Sequence, residues 1–174
     1  LINFSHGILT DLHLWTALSI FIFSYSYKKE SLSISGAIGG YILGIIIFGS
    51  GGWNWIIPLI FFFISSSILS HFNRKEKSQR NLIQILANGG LATIFAIENI
   101  FWGSTSSLIF YLGAISAANA DTWGTEVGYR SKSKPKLIFS NQSVSIGTSG
   151  SITLLGTIGS ILGAILIAGL GQII

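Results

Sequence analysis

The sequence predicts an all-α, polytopic transmembrane helix bundle. Three observations lead to this prediction: 49% of the 174 residues are hydrophobic, only 9% are charged, and the mean hydropathy is +0.66. An ordinary soluble domain is about a quarter charged, so this chain has too few polar side chains to cover a water-exposed surface. The sequence contains no cysteine, which excludes thiolate metal sites and disulfides within it.

Six apolar runs come close to the roughly 20 residues that a helix needs to cross a bilayer. They cover residues 8–27, 33–49, 53–70, 81–97, 104–120 and 150–170. The fourth run is the weakest, because it is short and is interrupted by Asn88, Gly89 and Gly90. We expect one integral-membrane domain over residues 1–174. Since the sequence has no methionine and stops inside an apolar run, we also expect it to be a piece of a longer polypeptide.

The basic residues support counting the fourth run as a span. With six spans the connections alternate between two sides, and all ten Lys and Arg fall in the first, third and fifth connections. By the positive-inside rule this face is cytoplasmic, or stromal in a plastid, and both chain ends lie on the opposite side. The sequence carries no P-loop, dinucleotide fingerprint or nucleic-acid motif, so no nucleic-acid partner is expected.

The first candidate site lies in residues 116–130, SAANADTWGTEVGYR, at the end of the fifth run. A charged group there is costly unless it is hydrated, paired or metal-bound. Asp121 and Glu126 offer the hard oxygen ligands that Mg²⁺ prefers, with Asn119 nearby. The alternative is that both carboxylates pair with Lys or Arg. On a straight helix the two point about 140° apart, so a shared ion requires a break at Gly124 or ligands from another helix.

A second constellation surrounds the fourth run. Asn88 and Gln84 are four residues apart on its basic half, and their amides supply both donors and acceptors for a phosphate or a metal-bound water. The preceding connection contributes Arg74, Lys75 and Arg80. The alternative is that the amides form interhelical hydrogen bonds while the neighbouring glycines allow close packing.

A third constellation precedes the sixth run and contains Thr148, Ser149 and Gly150. Glycine-flanked hydroxyls at a helix N-terminus present free N–H groups and the positive end of the helix dipole, which suits an anion. The same residue types are also ordinary N-caps. Lys132 and Lys136 in the same connection favour the anion site, because they add positive charge.

Several stretches resemble one known family. The segments LANGGLATI, SAANADTWGTEVG, KPKLI and GTSGSITLLGT, with the glycine-rich second run, are similar to the integral-membrane family that includes phytyl-phosphate kinase and transmembrane protein 19. The resemblance covers most of residues 36–163. It implies a lipid kinase that transfers a phosphoryl group from CTP, or another nucleoside triphosphate, to an isoprenoid monophosphate such as phytyl phosphate. The diphosphate would serve tocopherol and phylloquinone synthesis.

Phosphoryl transfer asks a protein mainly for positioning and for neutralisation of charge. In the resulting hypothesis Asp121 and Glu126 hold Mg²⁺, and Asn88 and Asn119 orient the ion or the phosphate. The groups assigned to the nucleotide and acceptor phosphates are Arg74, Lys75, Arg80, Lys132, Lys136, Thr148, Ser149 and Gly150. The alternatives are a transporter of an anionic lipid or metabolite and a scaffold without a small-molecule site. Transport requires polar residues that continue to the far side, whereas a kinase needs them at one face.

Overall fold

The computed structural model of the protein describes residues 6–73 and 79–174. Within these ranges the chain forms six helices and one small antiparallel sheet, in which Lys136 lies opposite Ile152. The helices are α1 (His6–Lys28), α2 (Ile34–Gly51), α3 (Trp53–Asn73), α4 (Leu82–Trp102), α5 (Thr105–Gly128) and α6 (Leu154–Gly171), and the strands β1 (Lys136–Leu137) and β2 (Ser151–Ile152) lie between α5 and α6. The predicted all-α bundle is confirmed.

Four of the helices in the described part of the chain are long and apolar enough to cross a membrane. They are α2, α3, α4 and α6, with mean hydropathies of 1.7, 1.8, 1.3 and 2.1. α5 has 24 residues and therefore rises about 36 Å. Its last turns carry Asp121 and Glu126, so this end of α5 is polar.

The fourth span is not interrupted, and the prediction of a break there is wrong. α4 runs continuously from Leu82 to Trp102. Thr93 Oγ1 donates to the Gly89 carbonyl oxygen at 2.9 Å, and a Cβ at Gly89 would lie 2.9 Å from Leu43 Cδ2 on α2. Close packing against α2, the alternative considered from the sequence, is therefore what Gly89 provides.

The first, third and fifth connections meet at one end of the bundle, called the basic end below. Leu32, between α1 and α2, forms a parallel bridge with Arg80, just before α4. The guanidinium carbon of Arg130, just after α5, lies 5.6 Å from the centroid of the Phe72 ring on α3. This arrangement agrees with the alternation expected from the loop charges. Which membrane face the basic end occupies stays a prediction.

The opposite end, called the far end, joins the second and fourth connections. Asn99 Nδ2 on α4 donates to the Ser50 carbonyl oxygen on α2 at 2.9 Å, and Asn54 Nδ2 donates to the Ile174 carbonyl oxygen at 3.3 Å. These contacts place the ends of α2, α4 and α6 and the start of α3 at the far end. α5 also begins there, because only two residues separate it from the end of α4.

An apolar core fills the bundle between the two ends. Tyr111, Ile115 and Ile167 are fully buried, and Trp55 is 5% exposed. The Tyr111 hydroxyl donates to the Trp55 carbonyl oxygen, so the polar atom of this tyrosine is satisfied inside the bundle. The side chains of α3, α5 and α6 are therefore packed together in this core.

Candidate functional site

α5 and α6 cross closely because glycines occupy their contact. A Cβ at Gly156 would lie 2.8 Å from the Gly124 carbonyl oxygen, and a Cβ at Gly159 would lie 2.8 Å from Val127 Cβ. Larger residues would therefore push the two helices apart. α5 stays helical through Gly124, so this residue is a packing position and not the hinge considered from the sequence.

A cleft with a volume of about 450 Å³ opens at the basic end, between α5, α6 and the segment that connects them. Asp121, Thr125 and Tyr129 line it from α5 and the residues that follow. The other residues that form its walls include Ile138, Ile146, Thr148, Ser149, Gly150, Ile152, Thr157 and Ser160. The structure thus brings Asp121 together with the predicted hydroxyl segment, within a cleft that also has apolar walls.

The hydroxyl-rich wall of the cleft is a turn held by its own hydrogen bonds. Thr148 Oγ1 donates to the Ser145 carbonyl oxygen at 2.9 Å, and Ser151 Oγ donates to the Thr148 carbonyl oxygen at 2.6 Å. Gly147 and Gly150 have φ angles of 89° and 74°, in the left-handed region that glycine adopts without steric cost. Internal hydrogen bonds and two glycines therefore define the shape of this turn.

This turn is not a helix N-terminus, and that part of the prediction is wrong. α6 begins at Leu154, and its N-cap is Thr153, whose Oγ1 accepts from the Gly156 N–H at 3.0 Å. Residues 150–152 adopt a turn and a short strand instead of continuing the helix. An anion bound at residues 148–150 would consequently contact hydroxyls and the backbone N–H groups of a turn. It would not lie at the positive end of the α6 dipole.

The two carboxylates of α5 do not face a common site. Asp121 is exposed and lines the cleft, whereas Glu126 Oε1 accepts a hydrogen bond from Ser70 Oγ on α3. Arg80 Nη2 donates to the same Ser70 oxygen at 3.1 Å. Because the helix is unbroken at Gly124, the five-residue spacing directs the carboxylates to different neighbours. No group of three or more His, Asp and Glu that could hold a metal ion occurs among the described residues.

Asn119 lies in the interior of the bundle, not in the cleft. It is fully buried, and its Nδ2 donates to the Gly163 carbonyl oxygen on α6 at 2.7 Å. Ser65 Oγ on α3 is 3.5 Å from Asn119 Oδ1 and accepts from Trp123 Nε1 at 3.2 Å. The Asn119 amide therefore ties α3, α5 and α6 together, and its predicted role in orienting an ion or a phosphate does not fit this placement.

The remaining predicted site residues that fall within residues 6–73 and 79–174 are not among those that line the cleft. Asn88 is half-buried on α4, while Lys132 and Lys136 are exposed on the connection that forms the cleft. Gln84 forms a capping box with Asn81 at the start of α4. The structure places Arg80 beside Ser70, as described above. The predicted phosphate ligands Arg74 and Lys75 lie outside the described residues.

The sequence pairs Thr125 with Asp121, because a spacing of four residues places two helical side chains next to each other, and both residues line the cleft. Sequence reasoning missed three other polar residues of the cleft. Thr153, Thr157 and Ser160 follow the i, i+4, i+7 pattern of a single helix face, a signal that was available in the sequence. Ser70 gave no such signal, because its importance depends on how α3 packs against α5.

A comparison with known families decides what kind of protein this is. The family described as "Integral membrane protein DUF92" matches residues 17–174. The chain belongs to this family. The matched range contains the whole of the cleft, and the family membership expected from the sequence motifs is confirmed. No solved structure matches the chain.

Curated relatives of this DUF92 protein come from an archaeon, a plant and a cyanobacterium. The chain is 37% identical over 154 residues to an uncharacterized membrane protein of Methanocaldococcus jannaschii, a match that covers 84% of this chain and 64% of the relative. It is 29% identical to Protein PGR of Arabidopsis thaliana, over 78% of this chain and 55% of the relative. An uncharacterized membrane protein of Synechocystis is 26% identical, over 82% and 60%. The chain thus spans less than two thirds of each relative's length.

Proposed function

We propose that the protein is a membrane lipid kinase that transfers the terminal phosphoryl group of a nucleoside triphosphate to an isoprenoid monophosphate such as phytyl phosphate. CTP is the expected donor. The observation that carries the proposal is the cleft at the basic end, where Asp121 shares one cavity with the hydroxyls of Thr148 and Ser149. Membership of an integral-membrane family supports a lipid as the acceptor.

The reaction needs little covalent chemistry from the protein. A phosphate oxygen of the acceptor attacks the γ-phosphorus of the donor, the bond from that phosphorus to the β–γ bridging oxygen breaks, and the nucleoside diphosphate leaves with the electron pair. A phosphate monoester is largely ionised near neutral pH, so it requires no strong general base. Positioning and charge neutralisation are the main demands, and a cleft of hydroxyls with one carboxylate suits them.

The donor atoms of the cleft fit Mg²⁺ with Asp121 as the protein ligand, since this ion commonly takes one or two carboxylates and completes its shell with water and phosphate oxygens. When bound, it would offset the negative charge of the transferred phosphoryl group. Ser149 would donate its hydroxyl proton to a phosphate oxygen, and Thr148 would do so after exchanging its hydrogen bond to the Ser145 carbonyl oxygen for one to the phosphate. Lys132 and Lys136, exposed on the same connection, would add positive charge.

The apolar part of the cleft supports an acceptor that is partly hydrocarbon. Ile138, Ile146 and Ile152 line the same cavity as Asp121. A phosphate carried on an isoprenoid chain would place its headgroup against the hydroxyls and the first part of its chain against these isoleucines. A fully water-soluble acceptor would leave this apolar surface uncovered.

The closed core favours a kinase over a transporter. Transport needs a polar route from one end of the bundle to the other, but Tyr111, Ile115 and Ile167 are fully buried between the ends. Asn119, the buried polar residue of α5 nearest the cleft along the chain, is hydrogen-bonded to Gly163. The polar groups of the cleft thus stay at the basic end.

The test is a transfer assay on the full-length protein in detergent, with radiolabelled CTP and phytyl phosphate. We expect Asp121→Asn to lower transfer by about 10²-fold or more, as removal of a group that stabilises transition-state charge does, without a change in unfolding temperature. Glu98→Gln, an acid-to-amide change on α4 near the far end, is the matched control and keeps full transfer.

Two results would count against the proposal. Full activity in Asp121→Asn would remove the carboxylate from the mechanism. If a well-folded wild-type sample transfers no phosphate from any nucleoside triphosphate to any prenyl phosphate, the transporter becomes the better hypothesis, and flux of an anionic lipid across vesicles would then be measured.

A further inference from the structure

The connection between α5 and α6 presents an apolar tip beside three lysines. Phe139 has a relative exposure of 102%, and Ile138 is 57% exposed. Lys132, Lys134 and Lys136 lie within the seven residues before Phe139, and all three are exposed. Exposure of a whole phenylalanine side chain to water is unfavourable. We therefore expect this surface to contact an apolar partner.

Hydrogen bonds hold the tip in place. The Asn141 N–H donates to the Leu137 carbonyl oxygen at 2.9 Å, which closes a turn around Phe139. The Ile138 N–H donates to the Gly150 carbonyl oxygen at 3.3 Å and joins the tip to the segment that leads into α6. Because the turn is fixed at both of these points, Phe139 stays outside the cleft while Ile138 lines it.

The length of α6 indicates where this tip would lie in a bilayer. Its 18 residues rise about 27 Å, close to the roughly 30 Å of a bilayer's hydrocarbon core. If α6 spans the bilayer, Leu154 at its basic end would lie near the hydrocarbon boundary. Lys136 is paired with Ile152, two residues before Leu154, so the sheet and the tip would then lie just beyond that boundary, at the level of the headgroups.

We propose that Ile138 and Phe139 insert into the headgroup layer of the bilayer, while Lys132, Lys134 and Lys136 bind anionic lipid headgroups. Charge complementarity selects this partner, because basic segments next to a membrane are attracted to anionic lipids and apolar side chains among them enter the interface. Because Ile138 also lines the cleft, insertion of this tip would hold the opening of the cleft at the level of the headgroups. The proposal is independent of the kinase proposal, since a transporter would use the same anchor.

The absence of cysteine from the sequence makes a direct measurement possible. In the full-length protein, with any cysteine outside residues 1–174 replaced by serine, Phe139→Cys provides a single thiol for a nitroxide label. Electron paramagnetic resonance then compares collisions of the label with apolar oxygen and with a water-soluble nickel chelate. Ser133→Cys, exposed between Lys132 and Lys134, is the shallow control at the level of the lysines, and Ile161→Cys, exposed on α6, is the membrane control. The protein is reconstituted into vesicles of phosphatidylcholine, alone or mixed with phosphatidylglycerol.

We expect the oxygen-to-nickel ratio at position 139 to lie between the two controls, several-fold above that at position 133, and to rise when phosphatidylglycerol is added. Replacing Lys132, Lys134 and Lys136 by Gln should remove that rise. Ser140→Cys keeps Phe139 and is the variant to label if Phe139→Cys does not fold. Its oxygen-to-nickel ratio should also lie between those of positions 133 and 161.

Three outcomes would overturn the proposal. A ratio at position 139 equal to that at position 133 would show that the tip lies no deeper than the lysines and does not insert. Low collision rates with both reagents would show that protein covers it. An inserted label that responds neither to phosphatidylglycerol nor to the lysine replacements would refute the anionic-lipid contact.

Discussion

Replacing Gly159 by alanine tests the close crossing that shapes the cleft. The added Cβ would lie 2.8 Å from Val127 Cβ and 2.9 Å from the Trp123 carbonyl oxygen. Both distances are below those that Cβ atoms adopt, and one partner is backbone, so α5 and α6 must separate. Overpacking of this kind lowers the free energy of unfolding by about 1–3 kcal/mol. The better helix propensity of alanine raises it by about 1 kcal/mol.

Gly113 in the middle of α5 provides the matched control, because a Cβ there would meet nothing within 4 Å. Gly113→Ala should therefore show the propensity gain alone, and the two variants should differ by about 1–3 kcal/mol. For a chain of this size each kcal/mol corresponds to about 2–4 °C in unfolding temperature. Thermal unfolding in detergent, followed by tryptophan fluorescence, measures the difference. If Gly159→Ala unfolds at the same temperature as Gly113→Ala or above it, the helices are not in contact at this position.

Two further predictions concern the hydrogen bonds that surround the cleft. Asn119→Leu removes the side-chain donor to the Gly163 carbonyl oxygen, which keeps its helical partner within α6, so we expect the free energy of unfolding to fall by about 0.5–1.5 kcal/mol. An unchanged unfolding temperature would show that the Asn119 contact contributes nothing. Arg80→Ala and Glu126→Gln, measured singly and together, should show a coupling energy of about 0.5–3 kcal/mol through Ser70, and strictly additive effects would contradict that link.

Most helices were predictable because apolar runs of membrane length have few other solutions in lipid. The start of α3 at Trp53 coincides with the predicted run, but α4 extends to Trp102, beyond the predicted end at residue 97. The predicted run ends at residue 97 because the next two residues, Glu98 and Asn99, are polar. In the structure Asn99 Nδ2 donates to the Ser50 carbonyl oxygen and lies 3.1 Å from Ser50 Oγ. A tertiary contact thus satisfies a polar group that would otherwise end the span, and sequence periodicity does not contain that information.

The location of the candidate site was predictable from the sequence. Which of the predicted residues line the cleft and which contact other helices was not. Helical geometry placed Asp121 and Glu126 on different sides of α5, yet it did not say which one would face the cleft. That choice depends on where α3 packs, since Ser70 binds Glu126, and on where α6 crosses, since Gly156 brings its first turns against Gly124. Both are tertiary facts, as is the burial of Asn119.

Arg80 shows how a residue expected to bind phosphate can instead hold the basic end together. Its N–H donates to the Ser31 carbonyl oxygen at 3.0 Å, and its own carbonyl oxygen accepts from the Ser33 N–H at 3.0 Å. Its guanidinium donates to Ser70, which in turn donates to Glu126. Arg80 therefore links four parts of the basic end: the segment between α1 and α2, the segment between α3 and α4, and the ends of α3 and α5. A guanidinium has five N–H donors, so the bond from Nη2 to Ser70 does not by itself prevent a phosphate contact. Arg80 is not among the residues that line the cleft between α5 and α6, however. The positive charge proposed for that cleft is for this reason better sought on the connection between α5 and α6 than at Arg80.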